Sequence, residues 1–317
     1  MNSIKVSIIC NTYNHENYIE KTLLGFLNQK TNFKFEVLIH DDASTDNTVQ
    51  IIKKYVDSYP DVFFPIYENV NQLSKGVPVT YQYQYSRSRG EYIAYCEGDD
   101  YWIDDLKLQK QVDFLDNNLN YIACVHRYVV VDQNNIEKDV RTFGTYDAAG
   151  IYTFKDFFSN ELPSQLASLV CRNIFMDKRI GYPKEFLSVK LQGDIILFLY
   201  LLTHGDIYRM DDVMSAYRFI YDINGSSWSS SLLKSPKQYG FWNGLRNLED
   251  VYFKVYNKHI NLKDRKNKSA VGVFADFKRF PSFRAFQNIL IVFFSQPSCI
   301  FYILCYLHDK IKRKLGK

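Results

Sequence analysis

The chain has 317 residues, a formal net charge of +4, and 46% hydrophobic and 16% aromatic side chains. That is enough for one large α/β domain with an appendage or for two small domains, and too apolar for a disordered chain. Lys310, Lys312, Arg313, Lys314 and Lys317, set against Asp309, carry all of the positive excess, so the rest of the chain is near neutral and nucleic acid is excluded as the main partner.

In chain order, the opening "MNSIKVSIIC" lacks signal-peptide anatomy and leads directly into a strand over 5–10. The polar "NTYNHEN" follows, then a helical period over 18–30. A second strand over 35–40 ends in "DDASTDNT", where Ser44 or Thr45 is placed to cap a helix beginning near residue 47. Strands are expected over 62–67 and in "GEYIAYC", and an amphipathic helix over 104–118. Residues 121–132 and 165–173 read as strands, 193–205 as a strongly apolar helix, 206–219 as two short strands and 235–259 as a helix. The apolar run 288–307 is interrupted by "SQPS", and neither arm is long enough to span a bilayer. A helix–break–helix in the membrane interface, its basic end on anionic headgroups, is the expectation. The division expected is 1–262 for the main domain and 263–317 for a helical tail. The cysteines at 10, 96, 124, 171, 299 and 305 form no C-x-x-C pair and read as reduced thiols of a reducing compartment.

Strands alternating with helices at this spacing predict βαβ units and a mainly parallel twisted sheet flanked by helices. Ligands of such sheets bind beyond the carboxyl ends of the strands. The polar clusters 11–17, 41–48 and 97–102 all fall at those ends. The first of them contains no glycine, which removes a dinucleotide fingerprint, and no G-x-x-x-x-G-K-[ST] occurs anywhere. In "EYIAYCEGDDYW" a buried strand runs into Glu97, Asp99 and Asp100, which repel one another unless something bridges them. A hard divalent cation, Mn2+ or Mg2+, held by Asp99 and Glu97 and by a bound diphosphate would do so. Gly98 would let a ligand approach the backbone. Asp104 and Asp105 are explained by the helix that follows them. Asp100 either supports the metal ligands or faces an acceptor. Trp102 and Trp228 are candidates for the acceptor side.

"VSIICNTYNHENYIEKTL", "FEVLIHDDASTDNT" and "GEYIAYCEGDDYW" resemble, in order and spacing, the three N-terminal signatures of family 2 glycosyltransferases. The resemblance covers residues 5 to about 220. It implies a GT-A fold and inverting transfer of a sugar from a nucleotide diphosphate, by family frequency a UDP-sugar. It also implies that Thr12, Tyr13 and Asn14 hold the nucleoside, with Tyr13 stacking on the base, and that Asp41 and Asp42 jointly read the base and position the loop. The family's D-x-D appears here as Glu97-Gly98-Asp99. Gly193-Asp194 matches the family's pair before the acceptor helix, so Asp194 is the implied base, and Arg218 matches an arginine near the donor diphosphate. The histidine that follows this arginine in many relatives is missing from "FIYDINGSSWSS". Inversion needs only one carboxylate, opposite the leaving diphosphate. The acceptor would be a glycan or lipid-linked glycan of polysaccharide or lipopolysaccharide assembly, and the location cytoplasmic, peripheral at the inner face of the cell membrane. Two rivals remain. A nucleotidyltransferase would need a Gly-rich basic loop after the first strand. A non-catalytic nucleotide-sugar-binding scaffold is kept open by Glu97 and the missing histidine.

Overall fold

The computed structural model describes residues 3–138, 149–158, 161–175, 181–220 and 234–314. The first four apolar runs form β1 (Ile4–Thr12), β2 (Lys34–Asp41), β3 (Phe63–Tyr67) and β4 (Tyr92–Tyr95), paired in parallel in the order β3-β2-β1-β4. Their near-continuous apolar sequences are what a sheet covered on both faces requires. Helices α1 (Ile19–Leu27) and α2 (Thr48–Ser58) connect them. Ile19, Leu23 and Phe26 of α1 and Ile52 of α2 are buried with Ile8, Cys10, Val37 and Ile39 of the strands. In register, Thr12 lies beside Asp41 and Asp41 beside Tyr67, so the loops after β1, β2 and β3 leave from one edge.

The following elements are β5 (Tyr101–Trp102), α3 (Lys107–Asn117), β6 (Tyr121–Val131), β7 (Gly150–Tyr152), α4 (Phe154–Phe158), β8 (Val170–Arg172), α5 (Gly193–Leu202) and β9 (Asp206–Arg218). The sheet continues from β4 as β8-β6-β9-β5, with β7 on β9. β8 runs antiparallel to both β4 and β6, so the parallel expectation describes the first half of the sheet and the second half is mixed. Residues 206–219, expected as two strands, form one strand of 13 residues. The irregularity is absorbed as a bulge: Val125 pairs with Arg209 and Arg127 with Val213, leaving 210–212 outside the register. Asp211 and Asp212 point outward there and pair with Arg127 (3.0 Å) and Lys110 (2.7 Å).

The start of α2 also departs from expectation. Asp46, rather than Ser44 or Thr45, accepts from the Thr48 backbone N–H at 3.0 Å. The Ser44 hydroxyl is already donated to Asp41. On α3, Lys107 is fully buried; its Nζ donates to Gln111 Oε1 at 2.8 Å and lies 4.1 Å from the centre of the Trp102 ring. Burial pushes the Lys107 ammonium down to about 7.

The chain forms two compact units. One comprises 1–154, 162–182 and 197–219 and holds the sheet; the other comprises 155–161, 183–196 and 220–317. The boundary expected between 262 and 263 falls inside the second. That unit contains α6 (Gln238–Tyr256), α7 (Lys263–Arg279), α8 (Phe283–Ser295) and α9 (Cys299–Lys314). Their core gathers around the fully buried Trp242, with Ala270, Val273, Ile289, Val292, Cys299 and Ile303. Ser282 caps α8 by accepting from Ala285 N at 3.1 Å. The "SQPS" interruption is anchored: Gln296 Nε2 donates to Asn267 Oδ1 at 2.6 Å and to Lys263 O at 3.0 Å. Among the described residues no helix is long and apolar enough to cross a membrane. α8 and α9 nevertheless leave Phe283, Phe286, Leu290, Phe294, Phe301 and Leu304 exposed.

Candidate active site

The loop after β1 is held from both ends. Successive backbone N–H groups of Asn14, His15 and Glu16 donate to Ser44 Oγ (2.9 Å), Thr48 Oγ1 (2.8 Å) and Asp46 Oδ2 (3.0 Å), all at the start of α2. In return Asn14 Oδ1 accepts from Thr45 N at 2.8 Å, and Glu16 Oε2 from Asn47 N at 3.0 Å. Asn14 sits at φ 55°, a left-handed conformation that asparagine tolerates better than most residues. On the other side, His15 O accepts from Tyr18 N and Ile19 N and so begins α1.

Within this frame the expected nucleoside residues separate by role. Tyr13 is 39% exposed and available to stack. Asn14 serves the turn with both its backbone and its side chain. Thr12 is 3% exposed, and its Oγ1 is buried without a hydrogen-bond partner among the described residues. Asp41 and Asp42 are both buried. Asp41 accepts from Ser44 N at 3.0 Å, and burial raises its carboxyl above the usual range. Both oxygens of Asp42 are engaged by backbone N–H groups, Gln72 at 2.6 Å and Leu73 at 3.0 Å. Asp42 therefore ties down the segment after β3, which sequence could not distinguish from base reading. His40 is buried and stacks on Tyr83, a packing residue.

The turn after β4 is pinned as firmly. Gly98 N donates to Asn11 O at 2.9 Å, and the Thr22 hydroxyl of α1 donates to Asp100 O at 2.6 Å. A Cβ on Gly98 would lie 2.6 Å from Thr12 Oγ1 and 3.0 Å from His15 Nδ1. The glycine admits the β1 loop, where the sequence had pointed to a ligand. Glu97 is exposed and Asp99 half-buried. Asp100 is buried and accepts from Arg218 N at 2.7 Å; burial, then the Asp99 charge, pushes its carboxyl well above the usual range.

Three placements correct the sequence reading. Trp102, expected to line the acceptor side, is 4% exposed and belongs to the core: its indole N–H donates to Ala167 O at 2.9 Å, and its ring meets Phe26 edge-on. Asp100, buried against the Arg218 backbone, likewise presents no open carboxylate to an acceptor. Arg218, expected beside the donor diphosphate, has its guanidinium engaged by the chain. Nε donates to Asp99 O (2.8 Å), one terminal nitrogen to Asp132 O (2.6 Å) and the other to Asn135 Oδ1 (2.7 Å), over the face of Tyr18. It fixes the backbone of the Glu97–Asp100 turn. Trp228 lies outside the described residues.

Asp194 belongs to the second unit and opens α5, one residue inside the helix rather than at its cap. Its carboxylate accepts from Ile195 N at 2.8 Å. Burial raises its pKa, against the opposing pull of that N–H and of the Arg265 charge. A carboxylate shifted upward is suited to proton abstraction near neutral pH.

Among the described residues no group of three or more His, Cys, Asp or Glu side chains gathers as a metal cage. The residues present fit a different kind of site, in which protein supplies few ligands and a diphosphate the rest. Asp99 stands at the loop edge, and the imidazole of His15, which sequence reasoning passed over, lies 3.8 Å away (Nε2 to Oδ2). The unanswered Thr12 Oγ1 and His15 Nδ1 lie against the same glycine. The signal for His15 was available: it stands three residues after Thr12 in the same polar cluster.

The model for glycosyl transferase family 2 matches residues 7–178. An uncharacterized protein of Mycobacterium tuberculosis is 47% identical over 126 residues, 40% of this chain and 36% of that protein, so the match spans about a third of the relative's length. The UDP-Glc:alpha-D-GlcNAc-diphosphoundecaprenol beta-1,3-glucosyltransferase WfaP of Escherichia coli is 26% identical over 229 residues, 72% of this chain and 81% of WfaP. Among solved structures, residues 1–349 of S. aureus TarS in complex with UDP-GlcNAc align with a TM-score of 0.66 at 19% identity, covering 93% of this chain and 81% of that one. That likeness shows the fold, the GT-A α/β architecture the sequence led us to expect.

Proposed function

From membership of glycosyl transferase family 2, to which the chain belongs, we propose that it transfers a sugar from a nucleotide diphosphate sugar to a glycan or lipid-linked acceptor with inversion. The observation that carries this reading is the assembly of the loops after β1, β2 and β4 around Asp99, with Tyr13 exposed beside them. The donor proposed is a UDP-sugar, in line with the UDP-linked names of WfaP and of the TarS complex. Tyr13 stacks on the base, Asp41 and Asp42 shape its pocket, and Asp99, with Glu97 at the rim, would hold Mn2+ or Mg2+. The bound cation supplies neutralisation of the charge that develops on the leaving diphosphate. Asp194 takes the proton of the acceptor hydroxyl as the new glycosidic bond forms.

The acceptor proposed is lipid-linked, which suits the exposed apolar faces of α8 and α9. Phe283, Phe286, Leu290, Phe294, Phe301 and Leu304 are flanked by the exposed Lys278, Arg279, Arg284, Lys310 and Lys312. This is the composition that lies in a membrane interface over anionic headgroups. We therefore place the protein at the inner face of the cell membrane, bound peripherally.

A panel of UDP, GDP, dTDP and CMP, each with and without Mn2+, tests the donor site by thermal shift. Stabilisation by one diphosphate that requires Mn2+ is the expected result. No shift with any nucleotide would overturn the reading and favour a non-catalytic scaffold.

A further inference from the structure

We propose that His15 is the second protein ligand of the cation held at Asp99, so that the metal shell of this chain is completed from the β1 loop. The inference rests on the donor-site reading above and adds a residue that neither motif nor family match assigns.

The geometry is specific. His15 Nε2 and Asp99 Oδ2 are 3.8 Å apart, beyond hydrogen-bond range, with both side chains partly exposed, 22% and 24%. A Mg2+-sized ion with ligand bonds of about 2.1 Å spans neighbouring ligand atoms about 3.0 Å apart and opposite ones about 4.2 Å apart. The observed gap lies between these limits, so one ion reaches both atoms with a small movement of either side chain. The imidazole also lies edge-on to the Tyr18 ring, 6.3 Å between ring centres, with Nε2 toward the carboxylate. Among the described residues neither its buried Nδ1 nor the neighbouring Thr12 Oγ1 has a hydrogen-bond partner.

The imidazole is also positioned in advance. Its own backbone N–H is bonded to Thr48 Oγ1 at 2.8 Å, and its carbonyl starts α1. The Asp99 carbonyl is bonded to Arg218 Nε at 2.8 Å. The two ligand atoms are thus presented by turns that are each fixed from outside, which is what a site of few ligands needs. The ring lies against Gly98, where any side chain would displace it. An imidazole in the shell also favours a transition ion over Mg2+.

The test uses the full-length protein, UDP and MnCl2, read by electron spin echo modulation. In the wild-type Mn2+–UDP complex, imidazole nitrogen modulation is expected, and it changes when the histidines carry 15N. In His15→Gln the modulation disappears and Mn2+ binds at least tenfold more weakly, while UDP affinity in EDTA stays that of wild type. A wild-type complex that binds Mn2+ with UDP but shows no nitrogen coupling overturns the assignment of His15 and leaves the donor site standing. A wild type that binds no Mn2+ with any nucleotide of the panel overturns both. The wild-type spectrum decides the matter even where the variant fails to fold.

Discussion

The loops at the carboxyl ends of β1, β2 and β4 and the outer faces of α8 and α9 are both surface regions, and they are built in opposite ways. In the loops, polar groups answer one another. Asn14, Glu16, Ser44, Asp46 and Thr48 exchange hydrogen bonds, Asp42 binds two backbone N–H groups, and Arg218 holds the Asp99 carbonyl. What has no hydrogen-bond partner there among the described residues is the Thr12 hydroxyl and His15 Nδ1, beside the Asp99 carboxylate. In the helices, polar order is confined to the break at Gln296, while phenylalanines and leucines face outward. A polar residue left over in an otherwise satisfied network points to a charged ligand. The proposed membrane contact rests on an apolar face with basic flanks.

Four experiments break or sharpen that contrast. The largest effect is expected at Asp194, which belongs to neither region. Asp194→Asn should lower transfer about 10²–10⁴-fold, the range for a lost general base, while donor binding persists. Equal turnover in the two proteins would remove the base assignment. Next, Phe294→Ser combined with Phe301→Ser should weaken partition onto phosphatidylglycerol vesicles at least tenfold. Stability should change by only about 0.5 kcal/mol, since both side chains are exposed. Unchanged partition would mean that the apolar face has another purpose.

In the loop region the same kind of substitution should behave in the reverse way. Arg218→Ala takes the guanidinium donor from Asp99 O and Asn135 Oδ1, and one of the two donors from Asp132 O, and should cost about 3 kcal/mol in denaturant unfolding. Arg218→Lys should recover little of it, because an ammonium cannot reproduce the fork. A loss below about 1 kcal/mol would show that the network is ornamental. The fourth experiment concerns Lys107. Its ammonium titrates near 7 when folded, against 10.5 for the ordinary side chain. Between those values the unfolded chain holds a proton that the folded chain has released, so stability should rise with pH across this window. The rise should exceed that of Lys107→Met, and identical pH profiles would place the buried lysine's titration elsewhere.

Legibility in the sequence followed the range over which each feature is determined. The four parallel strands and their polar ends were readable because apolar runs and turn residues are local signals. Arg218 and Trp102 were not, because their roles depend on partners far along the chain. Arg218 meets Asp99 and Asp100, while Trp102 is enclosed by Phe26, Lys107 and Ala167. The single long β9 was hidden by a bulge that only its pairing with β6 reveals. Asp41 and Asp42 were recognised as a pair, but their division of labour is set by Ser44 and by the segment at Gln72 and Leu73.

The three consecutive N–H groups of residues 14–16, each bonded to a side chain at the start of α2, have a consequence for protein engineering. The first two sequence signatures form one inheritable module. A chimera that takes the "NTYNHEN" segment from another enzyme without the matching "DDASTDNT" would import a loop whose moorings are absent. Exchanged together, the two segments should transplant as a working unit, and laboratory recombination between such genes should favour crossovers outside residues 11–48.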